Sequence, residues 1–135
     1  LGSWKEISKI FNKNKSKYLK KKNIFYRPWG KYINLFSGEG FLVKELIINP
    51  NSSISLQKHR YRSEHWTITS GKPKITINNR KFFKNVNDSV FVHQGAIHRI
   101  ENPFNKSVKI MEVQTGPILK ESDIIRYKDI YGRIN

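Results

Sequence analysis

Apolar residues along the chain recur in short bursts that alternate with polar ones, and the bursts are cut apart by Asn, Gly and Pro. Ile75 and Ile77 alternate with Thr76 and Asn78, the period of a strand with one buried face. The pattern predicts strands over Phe41 to Ile48, Ser53 to His59, Glu64 to Ser70, Lys74 to Asn78, Arg80 to Phe83, Ser89 to Val92, His98 to Asn102 and Ser107 to Gln114. Turn signals separate them at Asn49-Pro50-Asn51, Gly71-Lys72-Pro73, Asn78-Asn79, Asn85 to Asp88 and Asn102 to Asn105, at the spacing of an all-β sandwich or barrel. Helix is nearly absent. Ser3 to Phe11 reads as a short helix, with Ser3 as cap and Glu6 as its capping-box partner. Glu121-Ser122-Asp123 opens about one helical turn. A lysine run (Lys13, Lys15, Lys17, Lys20, Lys21, Lys22) has few apolar anchors and reads as a solvated linker. Residues 1–25 are therefore expected to be helix and linker, and residues 26–135 one β domain that begins at Tyr26-Arg27-Pro28-Trp29-Gly30.

Composition narrows the class. A length of 135 residues suits one domain, and 37% hydrophobic with 13% aromatic residues suits a packed body. No apolar run approaches the roughly 20 residues of a membrane span, so a soluble, cytoplasmic protein without a membrane partner is expected. Cysteine is absent, which rules out disulfides and thiolate ligands and leaves N and O donors for any metal. The net charge of +16 raises nucleic acid as a partner, through counterion release from phosphate. Lys, Asn and Ile crowd together here as they do under AT-rich coding, so the charge falls on any solvated surface and no nucleic-acid partner is expected. What remains is a positive field that draws in a small anion.

The chemistry concentrates between Asn51 and Gly71. Gln57 and His59 lie two apart on a strand and face one side of the sheet, with Lys58 facing away. Glu64 shares a face with Trp66, while His65 takes the other. A later stretch, His93-Gln94-Gly95-Ala96-Ile97-His98, supplies another imidazole. One inward histidine alone is ordinary core; the joint spacing is the signal. It resembles the two cupin motifs, with Asn51, Gln57, His59, Glu64 and Gly71 matching the first and His93, Gly95, His98 and Asn102 the second. Asn51 stands where the pattern has glycine and His93 where it has proline, both at turns, and asparagine tolerates the left-handed conformation. Gln57 stands where most cupins have histidine. An alternative register through His59, Tyr61 and Glu64 satisfies fewer of the downstream spacings. The resemblance implies a cupin double-stranded β-helix, a jelly-roll barrel, holding a divalent metal through Gln57, His59, Glu64 and His98. An amide oxygen, two imidazoles and a carboxylate suit Zn²⁺ first and also Mn²⁺, Co²⁺ or Fe²⁺.

A narrower resemblance covers almost the whole chain. Arg27-Pro28-Trp29-Gly30, Ser55-Leu56-Gln57, Arg62-Ser63-Glu64-His65-Trp66, Ser70-Gly71, His98-Arg99, Glu101-Asn102-Pro103, Glu112 to Gly116, Asp123 to Arg126 and Asp129 to Arg133 are similar to the type II mannose-6-phosphate isomerases. In that family the cupin is the C-terminal part of a bifunctional mannose-1-phosphate guanylyltransferase/mannose-6-phosphate isomerase, and Leu1-Gly2-Ser3-Trp4 looks like the end of the guanylyltransferase half. No glycine-rich nucleotide loop occurs, so the chain is not expected to make GDP-mannose. The resemblance implies a sugar-phosphate substrate and, as cupin barrels often pair edge strands, a homodimer.

An isomerase of this kind needs an acid or base beside the metal. Lys44 and Glu112 each sit in an otherwise apolar strand, where burial would move their pKa toward neutrality, although alternation could equally turn them outward. Arg126 resembles an arginine tied to activity in the family, for the phosphate or the enediolate, and Arg99 and Arg62 are further substrate-binding candidates. Strand alternation points Arg99 away from His98. Trp29 and Trp66 read as core before they read as sugar-stacking platforms. Two other functions fit the same barrel: a sugar-phosphate-binding or regulatory cupin without catalysis, and another sugar-modifying cupin such as a nucleotide-sugar epimerase, which would need no metal.

Overall fold

The structure, a computed structural model, describes residues 23–128. The helix expected over Ser3 to Phe11, the lysine run as far as Lys22 and the matches from Asp129 to Arg133 lie outside the described residues. Twelve strands follow in order: β1 (Ile24–Arg27), β2 (Gly30–Gly38), β3 (Phe41–Ile48), β4 (Ser52–Ser53), β5 (Leu56–Lys58), β6 (Ser63–Ser70), β7 (Lys74–Ile77), β8 (Arg80–Phe83), β9 (Ser89–Val92), β10 (His98–Asn102), β11 (Val108–Thr115) and β12 (Ile125–Lys128). Two six-stranded sheets result. One runs β1-β2-β3-β11-β6-β9 and the other β12-β5-β10-β7-β8, with β4 paired to β10. Every strand pairing among the described residues is antiparallel, as a jelly roll requires. No helix among the described residues is long and apolar enough to cross a membrane.

Period-two alternation decides which side chains enter the barrel. Lys44, Leu46 and Ile48 point inward from β3, Glu64, Trp66 and Ile68 from β6, His98, Ile100 and Asn102 from β10, and Val108, Ile110, Glu112 and Gln114 from β11. The apolar members pack with Ile75, Val90, Val92 and Trp29 into one core. The polar members gather toward the other end, and register fixes their order: Lys44 lies opposite Glu112, Glu112 opposite Trp66, and Gln114 opposite Glu64.

Three details differ from the sequence expectation. Ser53 to His59 is broken at Ile54-Ser55 into β4 and β5, because Ile54 turns its amide to the Ile100 carbonyl at 2.9 Å. Residues 121–123 form a turn closed by the Asp123 amide on the Lys120 carbonyl at 3.0 Å, not a helical turn. The strands β1, β2 and β12 carry no clear period; in β2 the register shifts between Asn34 and Phe36, which interrupts the alternation. Asn51 takes the left-handed conformation expected at its turn, at φ 55.

Gly71, at φ 82, turns the chain out of β6 where a Cβ would come within 2.8 Å of the Ser107 carbonyl oxygen and 2.9 Å of Val108. Both the strain and the clash act on the folded state. Gly71→Ala is expected to destabilise the barrel by about 2–3 kcal/mol, read from urea midpoints at unchanged m-value.

Candidate metal and proton-transfer site

The loop after β5 delivers His59 to the barrel interior and is locked from behind. The Asp123 carboxylate accepts the backbone amides of Arg60 and Tyr61, each at 3.0 Å, and its carbonyl oxygen lies 2.6 Å from His59 Nδ1. A carbonyl only accepts, so Nδ1 carries the proton and Nε2 presents its lone pair to the interior. The Gly95 amide donates to the His59 carbonyl at 3.0 Å and ties the loop to the turn before β10. From β10, His98 does the same from the other side: Nδ1 donates to the Ala96 carbonyl at 3.0 Å. That leaves His98 Nε2 buried without a hydrogen-bond partner among the described residues, 4.0 Å from Glu64 Oε2.

Glu64 completes the set from β6. His59 Nε2 stands 3.2 Å from Glu64 Oε1, and donor atoms of His59, Glu64 and His98 all lie within 4.8 Å of one another. Two imidazole lone pairs and a carboxylate fit a divalent cation, and the orphaned Nε2 of His98 is the atom that such an ion would satisfy. Gln57, the cross-strand neighbour of His98, lines the same cavity, with Oε1 accepting the Ser55 hydroxyl at 3.3 Å. Tyr61 is exposed, so the alternative register through it is not the one that converges. Arg62 is buried and already uses two of the donor atoms: Nε donates to Glu64 Oε1 at 3.1 Å and Nη2 to His59 Nε2 at 3.0 Å. An ion entering there has to displace this guanidinium.

A second carboxyl, Glu112 on β11, is 4% exposed and hydrogen-bonded to Glu64. Trp66 Nε1 donates to both, at 2.9 Å to Glu64 Oε2 and 3.0 Å to Glu112 Oε1, and Gln114 Nε2 donates to Glu112 Oε2 at 3.0 Å. Two buried carboxyls in contact cannot both ionise cheaply. Burial, then the neighbouring charge of Glu64 and the hydrogen bond to it, push Glu112 up to about 8. Burial also works to raise Glu64, but the hydrogen bond from Glu112, with the adjoining His59 and His98 rings, outweighs it and holds the group well below the carboxylate range. The shared proton therefore sits on Glu112, and Glu64 is the ionised partner. Burial lowers His98, partly offset by the Glu64 charge, which keeps its imidazole neutral.

Lys44 turns inward, its Nζ 4.0 Å from Glu112 Oε2 and 2.6 Å from Glu121 Oε1. Arg126, opposite Gln57 in the β12–β5 pairing, and Arg27 line the same cavity of about 60 Å³ as Lys44, Arg62 and the donor set. Trp66 is core and holds the two carboxyls; Trp29 is core and cavity wall. Arg99 stands apart. It projects to the outer face of β10, where Nε donates to the Ile54 carbonyl at 3.2 Å and Nη1 pairs with Glu101 at 3.4 Å. Asp123, Glu121 and Gln114 were not among the sequence candidates. Gln114 was readable as an even step from Glu112, whereas Asp123 and Glu121 reach the site from a turn that no period marks.

Known proteins resemble the chain in sequence and in fold. Residues 12–129 match the family model described as mannose-6-phosphate isomerase C-terminal. The chain is 39% identical over 129 residues to a mannose-1-phosphate guanylyltransferase of Salmonella montevideo, covering 96% of this chain and 27% of that protein. It is 41% identical over 108 residues to the alginate biosynthesis protein AlgA of Pseudomonas putida, covering 80% and 22%. The chain thus spans about a quarter of the length of these relatives. Among solved structures, the Cnp3 cupin domain of Schizosaccharomyces pombe superposes with a TM-score of 0.60 at 19% identity, covering 64% of this chain and 60% of that one, which marks the barrel as a cupin fold. With the match extending over most of its length, the chain belongs to the mannose-6-phosphate isomerase C-terminal family.

Proposed function

We propose that this chain is a metal-dependent isomerase unit interconverting mannose 6-phosphate and fructose 6-phosphate, acting in the cytoplasm as a homodimer. The observation that carries the reading is a buried His-Glu-His donor set in contact with a proton-bearing carboxyl, in a chain of this family. The reaction moves a proton between C1 and C2 through an enediol. A divalent ion held by His59, Glu64 and His98 with Gln57 alongside, Zn²⁺ before Mn²⁺, Co²⁺ or Fe²⁺, would polarise the sugar's carbonyl and hydroxyl oxygens.

The residues of the chain supply the rest. Glu112, with its pKa near neutrality, gives and takes the proton, since a group that is half ionised near the working pH serves in both directions. Lys44 stabilises the carboxylate left behind, and the Trp66 and Gln114 donors hold it in place. Small-molecule pockets run to roughly 300–1,000 Å³, so a cavity of about 60 Å³ admits only the reacting end of the sugar. The phosphate then stays outside, with Arg126 and Arg27 as its cations, and Arg62 swings off the donor atoms as the site fills.

A coupled assay that follows fructose 6-phosphate from mannose 6-phosphate, with each of the four metals, tests the reading. Turnover that disappears with a chelator and returns with metal is expected; a folded protein inactive with every metal overturns it. Arg62, seated on two of the donor atoms, favours one second reading, a unit that binds sugar phosphate without catalysis. Calorimetry showing mannose 6-phosphate binding without turnover would select it.

A further inference from the structure

β10 has two faces, and the outer one carries a second polar groove. His98 points into the barrel and Arg99 away from it. In register, Arg99 lies opposite Thr76 on β7, and Thr76 lies opposite Lys81 on β8. Directly opposed side chains stand roughly 4.5–5.5 Å apart at Cβ, so a guanidinium, a hydroxyl and an ammonium form one row across three strands. The row lines a cavity of about 320 Å³, walled by Leu56, Asn79 and Glu101.

The hydroxyl is the informative member. Thr76 is only 5% exposed, yet its Oγ1 has no hydrogen-bond partner among the described residues. Native proteins rarely leave a buried hydroxyl so. Its two neighbours in the row cannot accept its proton, because arginine and lysine are donors only. Glu101, the one carboxylate in the wall, is engaged with Arg99 Nη1 at 3.4 Å. Arg99 is itself anchored, through Nε to the Ile54 carbonyl, which holds the guanidinium in place without neutralising it. Two cations against one carboxylate leave the groove net positive beside a buried hydroxyl that lacks an acceptor. Such a set calls for an anion with several acceptor oxygens, and a phosphate group matches a guanidinium fork, a point-charge ammonium and a hydroxyl donor together.

We propose that this outer groove is a second site of the chain, binding a phosphate monoester through Arg99, Thr76 and Lys81. Its volume lies within the range of small-molecule pockets, unlike that of the barrel cavity, so it takes in a metabolite of hexose-phosphate size as well as its phosphate. The site is independent of the isomerase reading, since the sheet separates it from the His-Glu-His set. A sugar phosphate and a nucleotide share the chemistry, and the ligands below distinguish them.

The test is an amide chemical-shift titration of the full chain with inorganic phosphate, mannose 6-phosphate and GMP. Saturable shifts at the amides of Thr76, Lys81 and Arg99 are expected with at least one of the two esters. Thr76→Val keeps the shape and strand preference while deleting the hydroxyl, and Lys81→Ala alters an exposed residue. Each is expected to weaken binding about tenfold, whereas His98→Ala leaves it unchanged. Tighter binding of mannose 6-phosphate assigns the groove to sugar phosphates, and tighter binding of GMP to nucleotides. The proposal is overturned if neither ester shifts these amides at millimolar concentration, if the shifts appear only around residues 59, 64 and 98, or if they survive both variants unchanged. Should Thr76→Val fail to fold, the Lys81→Ala titration decides alone.

Discussion

On the proposed isomerase reading, His98→Ala is expected to lose metal on dialysis and turnover with it, while the barrel stays folded. The imidazole is anchored by Nδ1 on the Ala96 carbonyl, and its Nε2 has no competing partner among the described residues, so the side chain has one free lone pair and one place to use it. Changing partners that merely orient a ligand costs 10–100-fold in affinity or activity; deleting one of three converging ligands is expected to cost more than about 100-fold. The structural cost is smaller, about 1–3 kcal/mol for a truncated buried side chain whose removal strands no charge. Metal content by mass spectrometry, turnover and melting temperature separate the two effects. His65→Ala is the control: His65 is exposed on the other face of β6, stacked on Phe91 at 4.4 Å, and its loss should spare metal and turnover alike. Stoichiometric metal in folded His98→Ala would remove the donor set from consideration.

The second large effect belongs to Glu112. Glu112→Gln preserves shape and most hydrogen bonds but cannot carry a proton, so turnover is expected to fall by roughly 10²–10⁴-fold with metal content unchanged. The same variant has a signature that does not depend on activity. In the folded chain Glu112 holds its proton up to about pH 8, and in the unfolded chain it releases it near 4.5. Between those values the folded state binds more protons, so stability falls as pH rises through the window. Glu64 works oppositely, losing its contribution only as pH drops below the ordinary carboxylate range, and is silent here. Chelator-treated protein should therefore melt several degrees lower at pH 8 than at pH 5, roughly what a few kcal/mol produces, and Glu112→Gln should flatten that dependence. An unchanged slope in the variant means the buried proton resides elsewhere.

Much of this site could be read in advance because it obeys the period of a strand. Gln57 and His59, and Glu64 and Trp66, follow from alternation once the strands are placed, whereas Lys44 and Glu112, which the sequence left open, turn inward in step with Ile48 and Ile110. Arg62 obeys the same period, an even step before Glu64, and its place in the donor cluster was available to a stricter use of it. Alternation also set Arg99 on the outer face. What escaped has no period. Asp123 fixes the tautomer of His59 from a turn 64 positions along the chain, a contact made by the closing of the barrel and by no local preference. The strands β1, β2 and β12 were absent from the sequence strand list for a related reason: their pairing comes from neighbours, and a register shift in β2 blurs the alternation that would announce it.

The donors of the candidate metal site come from different layers. Glu64 rides on β6 in one sheet, His98 on β10 in the other, and His59 on the loop at the end of β5. A cation bound there is a cross-brace, and prying the layers apart means breaking coordination bonds before any apolar surface is exposed. Loading then ties the opening of the two sheets into one event, so that amides in β6 and β10 exchange with solvent at a common, slower rate.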